Sequence, residues 1–275
     1  MHDLPKSLNG RTAKEVALDI AYRAGNHLKE QFYTPKTIRY KGPNDIVTNV
    51  DIETERLIRN KLSLEFPHMG FLGEEAEGDP IDSGYVWIVD PVDGTRNYAA
   101  GIPTASVVIG LVKDGEILIG VNYDPFLNEM FHAERGCGAF MNDRKLNVSQ
   151  KKDLRGTIIA TDKSRSWEET THTLDLVKFA SQRSCTIRIM GSSALAISYV
   201  AAGRYDLYFH SGLSPWDQVA GILLVEEATG IVTDRSGGKI SLKSNGIIAA
   251  NRSLSRTFIN ETAELRWQHQ LRQNR

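Results

Sequence analysis

Apolar residues recur every three or four positions over residues 12–32: Ala13, Val16, Ala17, Ile20, Ala21, Ala24, Leu28 and Phe32. That spacing lines one face and predicts an amphipathic helix, closed by Pro35. A second helix, residues 51–66, would turn Ile52, Leu57, Ile58, Leu62 and Phe66 inward. Between the two, residues 37–40 read as a short strand and 41–44 as a mobile loop. Strand-like runs follow at 71–73, 87–90, 105–111, 117–123 and 129–133. Asp114-Gly115 is a hairpin signal, and Gly136, Gly138 and Asn142-Asp143 mark tight turns before a strand at 145–148. Helices followed by an antiparallel meander, without a βαβ rhythm, predict an α+β fold.

The pattern changes near residue 151. Strands at 157–160, 186–190, 205–209, 231–233, 239–242 and 247–250 are interleaved with helices at 170–181, 191–202, 215–229 and 254–270. Small Ala and Ser residues in the helix after Gly191 suggest close packing. The helix after Pro215 is apolar nearly all round, with Gly230 as its C-terminal cap. We therefore expect two lobes, residues 1–150 and 151–275, working as one domain.

Composition narrows the class. Of 275 residues, 41% are hydrophobic and 24% charged, enough for a large core. Thirty-three basic against 34 acidic residues leave a net charge of −1, with no surplus for a nucleic acid polymer. Cys137 and Cys185 stand far apart, which argues against zinc or a disulfide framework and for a reducing cytoplasm. Neither a signal-peptide core nor an apolar run of about 18 residues is seen, so the expectation is a soluble, cytoplasmic protein off the membrane.

Chemistry concentrates where apolar runs end in acids. Trp87-Ile88-Val89-Asp90-Pro91-Val92-Asp93-Gly94-Thr95 reads as a buried strand broken by Pro91 and Gly94, with two carboxylates at the break. Gly94 would let backbone N–H groups approach an anion, and Thr95 adds a hydroxyl. Phe71-Leu72-Gly73-Glu74-Glu75 repeats the same grammar. Asp51 and Asp217 open helices, where an acid also serves as a simple cap or dipole charge. Asp90 and Asp93 could likewise merely shape a turn. Taken together, Asp51, Glu74, Asp90, Asp93 and Asp217, without lysine or arginine partners, would repel unless divalent cations joined them. Oxygen-only donors favour Mg²⁺, with Mn²⁺ possible, and such ions beside a Gly-Thr turn suit phosphate ester hydrolysis.

At this point the sequence resembles the inositol monophosphatase family of Mg²⁺-dependent, lithium-sensitive phosphatases. Asp90-Pro91-Val92-Asp93-Gly94-Thr95, Leu72-Gly73-Glu74-Glu75, residues 215–221 and residues 45–51 carry the likeness in family order. The resemblance implies a layered α-β-α-β-α sandwich of the inositol monophosphatase and fructose-1,6-bisphosphatase type, commonly a homodimer. It implies that Glu74, Asp90 and the Val92 carbonyl hold one metal, and that Asp90, Asp93 and Asp217 hold a second. A third would lean on Glu74. Thr95 and Glu74 would activate water, with Asp51 bonded to Thr95. Gly94 and Thr95 would bind phosphate, and Asp93, Gly191 and Ser192 would contact the substrate.

One position departs. Where many inositol-phosphate hydrolases of the family place a substrate-binding glutamate, this chain has His210. Imidazole can donate or accept, whereas a carboxylate only accepts, so His210 either alters substrate choice or is a bystander at a strand end. The implied substrate is inositol monophosphate or a similar small sugar or polyol phosphate. Fructose 1,6-bisphosphate, NADP and 3′(2′),5′-bisphosphate nucleotides are enzymatic alternatives, and a degenerate regulatory binding protein is the non-enzymatic one.

Overall fold

Thr12 caps α1 (Ala13–Gln31), and its hydroxyl and amide exchange bonds with Glu15. The computed structural model describes residues 4–42, 45–76, 78–164, 166–244, 246–265 and 267. A two-stranded ribbon follows, β1 (Ile38–Gly42) against β2 (Asp45–Thr48). Helix α2 (Asn49–Glu65) starts two residues earlier than the sequence suggested, because Thr48 rather than Asp51 is the cap. Ile52 is 43% exposed, so it leaves the predicted inner face, while Thr54 and Glu55 are buried.

Seven strands then form one sheet in chain order: β3 (Gly70–Gly73), β4 (Tyr85–Asp93), β5 (Ser106–Lys113), β6 (Glu116–Asp124), β7 (Glu129–Glu134), β8 (Gly138–Met141) and β9 (Arg144–Lys145). Only β3 and β4 run parallel; the other neighbours are antiparallel. Pro91 does not end β4 as expected: the ladder with β5 skips from Asp90 to Asp93 through a bulge. A short helix, α3 (Thr95–Ala99), follows and was not foreseen. The strand expected at 145–148 is only the two-residue β9.

The second sheet takes β10 (Ile158–Thr161), β11 (Thr186–Ile189), β12 (Leu207–His210), β13 (Ile231–Thr233) and β14 (Ile247–Ala250) in the order β11-β10-β12-β14-β13. Its helices are α4 (Trp167–Ser181), α5 (Ser193–Ala201), α6 (Pro215–Glu227) and α7 (Arg252–Glu261). The strand expected at 239–242 reduces to a single bridge, Thr233 to Lys239. Described helix α7 stops at Glu261; residues 266 and 268–270 of the longer expectation lie outside the described residues. At the end of α6 the left-handed residue is Thr229 (φ 69°), not Gly230. The N–H groups of Thr229 and Gly230 bond back to Glu226 and Val225, closing a Schellman turn. Gly230 is bare for another reason: a Cβ there would press into Val225 and Val148.

The layers explain the continuous apolar runs. On β4, Val86 and Ile88 face α5 and α6, while Trp87 and Val89 face α1 and α2. Both faces of the first sheet are thus covered. The second sheet does the same: Tyr208 and Ala249 join α5 and α6, and Phe209 and Ile248 meet α4 and α7. The result is an α-β-α-β-α sandwich with α5 and α6 as the central layer, which is why α6 is apolar on all sides. Helix α6 lies on bare backbone: a Cβ on Gly120 would come 2.8 Å from the Cα of Ala220, and one on Gly110 would collide with Val219.

Candidate active site

The bulge at the end of β4 aims two acids at one point. Asp90 and Asp93 are 2% and 7% exposed. Asp90 accepts the Val92 N–H at 3.0 Å, which shapes the turn. Asp93 accepts the Ala194 N–H at 3.1 Å and the Ser192 hydroxyl, so the start of α5 holds it. Asp217 arrives in the first turn of α6 and accepts the Ser214 N–H at 2.7 Å. One oxygen each from Asp90, Asp93 and Asp217 lies within 4.8 Å of the others. Residues more than 120 positions apart in the chain therefore meet, as the sequence required.

Their charges conflict. Burial, then Glu74, Asp93 and Asp217, pushes the Asp90 carboxyl far above the usual range. Burial raises Asp93 to about 8, with Asp217 and Asp162 adding to it and Ser192 and Ala194 opposing. A cation entering beside Asp90 and Asp93 would let both ionise together. The donor set is oxygen alone, which fits a hard divalent ion.

Around this trio sit the remaining candidates. The Thr95 hydroxyl is 2.9 Å from Asp51 Oδ1 and 3.0 Å from the Val92 carbonyl. Asp51 is fully buried; its other oxygen takes the Thr48 N–H at 3.0 Å and the Thr48 hydroxyl. One side chain thus completes the capping box begun by Thr48 and holds the Thr95 hydroxyl.

Glu74 is where the expectation needs correction. It was assigned no basic partner, yet Lys41 Nζ lies 2.9 Å from Glu74 and 3.0 Å from Glu75. Lys41 belongs to β1 rather than to a loop; Pro43 and Asn44 lie outside the described residues. Burial pulls the Lys41 ammonium down, but the two glutamates outweigh it and its pKa ends above the ordinary value. Burial and the Glu74 charge raise Glu75 to about 7 against the pull of Lys41. Buried Glu55 accepts the Glu75 N–H at 2.8 Å and fixes the bend.

A cavity of about 480 Å³ opens beside the trio. Asp93, Gly94, Thr95 and Asp217 line it together with Asp162, Gly191, Ser193 and His210. Gly94 has φ 95°, a left-handed conformation, and a Cβ there would sit 2.8 Å from the Thr104 carbonyl. Gly191 also has positive φ, 71°, and packs against Asn97. Asn97 Nδ2 donates to the carbonyls of Thr104, Met190 and Gly191 at 3.0, 2.8 and 3.2 Å, tying α3 to the loop before α5. Ser192 is 1% exposed and committed to Asp93, and it is Ser193 that reaches the cavity wall. His210 ends β12, 4% exposed, its ring parallel to Tyr208 within 6° at 6.3 Å.

Residues 10–271 match the model of the inositol monophosphatase family. The chain belongs to that family. It is 37% identical to the inositol-1-monophosphatase of Rhizobium meliloti (strain 1021), over 88% of this chain and 93% of that protein. It is 38% identical to the Nus factor SuhB of Escherichia coli (strain K12), over 86% and 90% of the two chains. Among solved structures, the extragenic suppressor protein suhB of Bartonella henselae superposes with a TM-score of 0.87 at 38% identity, covering 91% of this chain and 98% of that one. Membership and the inositol-1-monophosphatase name support a phosphatase, in a family that is generally metal dependent. No described helix is long and apolar enough to cross a membrane.

Sequence reading missed Lys41, Asn97 and Asp162. Asp162 alone had a signal: Ile158-Ile159-Ala160-Thr161-Asp162 is another apolar run ending in an acid.

Proposed function

We propose that this chain is a Mg²⁺-dependent phosphomonoesterase acting on inositol monophosphate or a similar sugar phosphate, with water as the nucleophile. The observation that carries the reading is the convergence of Asp90, Asp93 and Asp217 within 4.8 Å beside the Thr95–Asp51 bond. Asp90, Asp93, Asp217, Glu74 and the Val92 carbonyl would hold the ions. Bound divalent ions supply charge neutralisation and lower the pKa of water.

The chain's own residues do the rest. Asp51 fixes the Thr95 hydroxyl, and Thr95 with Glu74 orients the water and takes its proton. The first N–H groups of α3, at Gly94 and Thr95, have no carbonyl one turn behind them and are free to take phosphate oxygens. Asp93, Gly191 and His210 border the alcohol. Phosphoryl transfer asks for such positioning more than for a covalent intermediate, which is why no serine or cysteine is needed.

The test is phosphate release from a panel of esters at saturating Mg²⁺, including inositol 1-phosphate, fructose 1,6-bisphosphate, NADP and nucleoside 2′- and 3′-phosphates. Release from none of them would sink the reading and favour a regulatory binding protein. A nucleotide phosphatase is the second reading, favoured by the apolar Ile46, Ile189 and Leu213 on the cavity wall, against which a base could lie. A nucleotide cleaved about a hundredfold better than inositol 1-phosphate would select it.

A further inference from the structure

With His210 standing where a glutamate was expected, the cavity lining still includes a further carboxylate, Asp162. Strands β10 and β12 run parallel with Ala160 opposite Tyr208, so two residues further on Asp162 comes level with His210. Asp162 is 6% exposed and lines the cavity. Its Oδ1 accepts the Gly191 N–H at 2.6 Å, which anchors the group. Its Oδ2 lies 3.2 Å from the Tyr208 hydroxyl, and that hydroxyl lies 2.9 Å from Ser193 Oγ.

Tyr208 has one proton for two neighbours. When it donates to the nearer Ser193, the Ser193 proton must point elsewhere, and Oδ2 of Asp162 keeps its lone pairs. Both residues border the open volume, so the wall then offers an acceptor and a donor side by side. A pair of neighbouring hydroxyls matches that arrangement, one donating to Asp162 and the other accepting from Ser193. Asp162 also takes backbone bonds from Gly191 and Met190, so an alcohol without hydroxyls leaves it anchored but forgoes both wall contacts, which costs binding.

We infer that Asp162, with Ser193 beside it, reads adjacent hydroxyls of the substrate alcohol and selects polyol phosphates. The inference rests on the phosphomonoesterase reading above and adds to it the residues that choose the alcohol. Asp162 contacts no phosphate in this scheme; its effect belongs in KM.

Two esters of one ring shape test it: inositol 1-phosphate and cyclohexyl phosphate, assayed with Mg²⁺ for kcat and KM separately. The intact enzyme should favour inositol 1-phosphate in kcat/KM. Asp162→Asn retains an acceptor for Gly191 and should lower that preference about tenfold or more, mainly through KM for the inositol ester. Ser193→Ala should lower it in the same direction, and decides the matter if Asp162→Asn fails to fold by thermal melting. A preference unchanged in the folded variants, an equal fall for both esters, or an intact enzyme indifferent to the hydroxyls would overturn the inference. Phosphate release from neither ester but from another of the panel above would overturn the inference alone; release from none of the panel would instead remove the phosphomonoesterase reading, and this inference with it.

Discussion

Two acidic clusters adjoin through Glu74 and Asp90, and they solve the same electrostatic problem differently. Glu74 and Glu75 share the ammonium of Lys41, a cation built into the chain. Asp90 and Asp93 have backbone N–H groups and a serine hydroxyl instead, and face Asp217 across less than 4.8 Å. The first cluster is close to balanced as folded. The second holds buried acids that raise one another's pKa, a conflict that a cation from solution would relieve.

Breaking the unbalanced cluster should have the largest effect. Asp90→Asn should lower turnover by roughly a thousandfold or more, since the residue sits at the centre of the trio. The same variant should melt at a higher temperature than the parent in chelator, because one of three mutually repelling acids is gone. Unchanged turnover would remove Asp90 from the cation site.

Next comes pH. Asp93 is held near 8 in the fold against an ordinary value of 3.8, and Asp90 is raised with it. The unfolded chain therefore releases these protons at lower pH than the folded chain does. Between about pH 4 and pH 8 the folded state binds more protons, so raising the pH costs stability. In chelator the melting temperature should fall by roughly 5 °C or more across that window. Mg²⁺ should remove most of the fall. A flat profile in chelator would mean that the trio is already neutralised in the metal-free protein.

The balanced cluster should respond least. Lys41→Met should cost about 1 kcal/mol, the scale of a partly exposed ion pair, read by denaturant melting without metal. Without the ammonium, the Glu75 carboxyl should rise above about 7, and the loss of stability with pH should extend upward accordingly. If Lys41→Met matched the effect of Asp90→Asn on turnover, the contrast between the clusters would collapse.

The contrast also marks what the chain discloses before it folds. Asp90, Asp93 and Glu74 were legible because an apolar strand run carries each to the core edge, a local signal. Asp217 was legible as an acid opening an all-apolar helix. Lys41 was not, because its pairing spans more than 30 positions and nothing in its own neighbourhood, a glycine and a proline, hints at burial. Asn97 escaped because α3 has only five residues, too few for helical periodicity to register. Pro91 misled in the other direction: the bulge absorbs the missing donor, and the strand runs on to Asp93. Layer order was implied by the family resemblance alone; the unbroken apolar runs of β4 and α6 are its physical counterpart, since such runs need cover on every side.

Gly110 and Gly120 leave a smooth track on which α6 rests, with Ala220 and Val219 almost touching strand backbone. They act as a gauge block for a carboxylate they never meet. A single methyl at Gly120 would shim the helix outward and carry Asp217 with it by tenths of an ångström. The magnesium proposed for this cleft would tolerate little error in its ligand distances. The tuning of the cleft is therefore set partly on the far side of the helix that reaches it, where bare strand backbone fixes how near that helix can come.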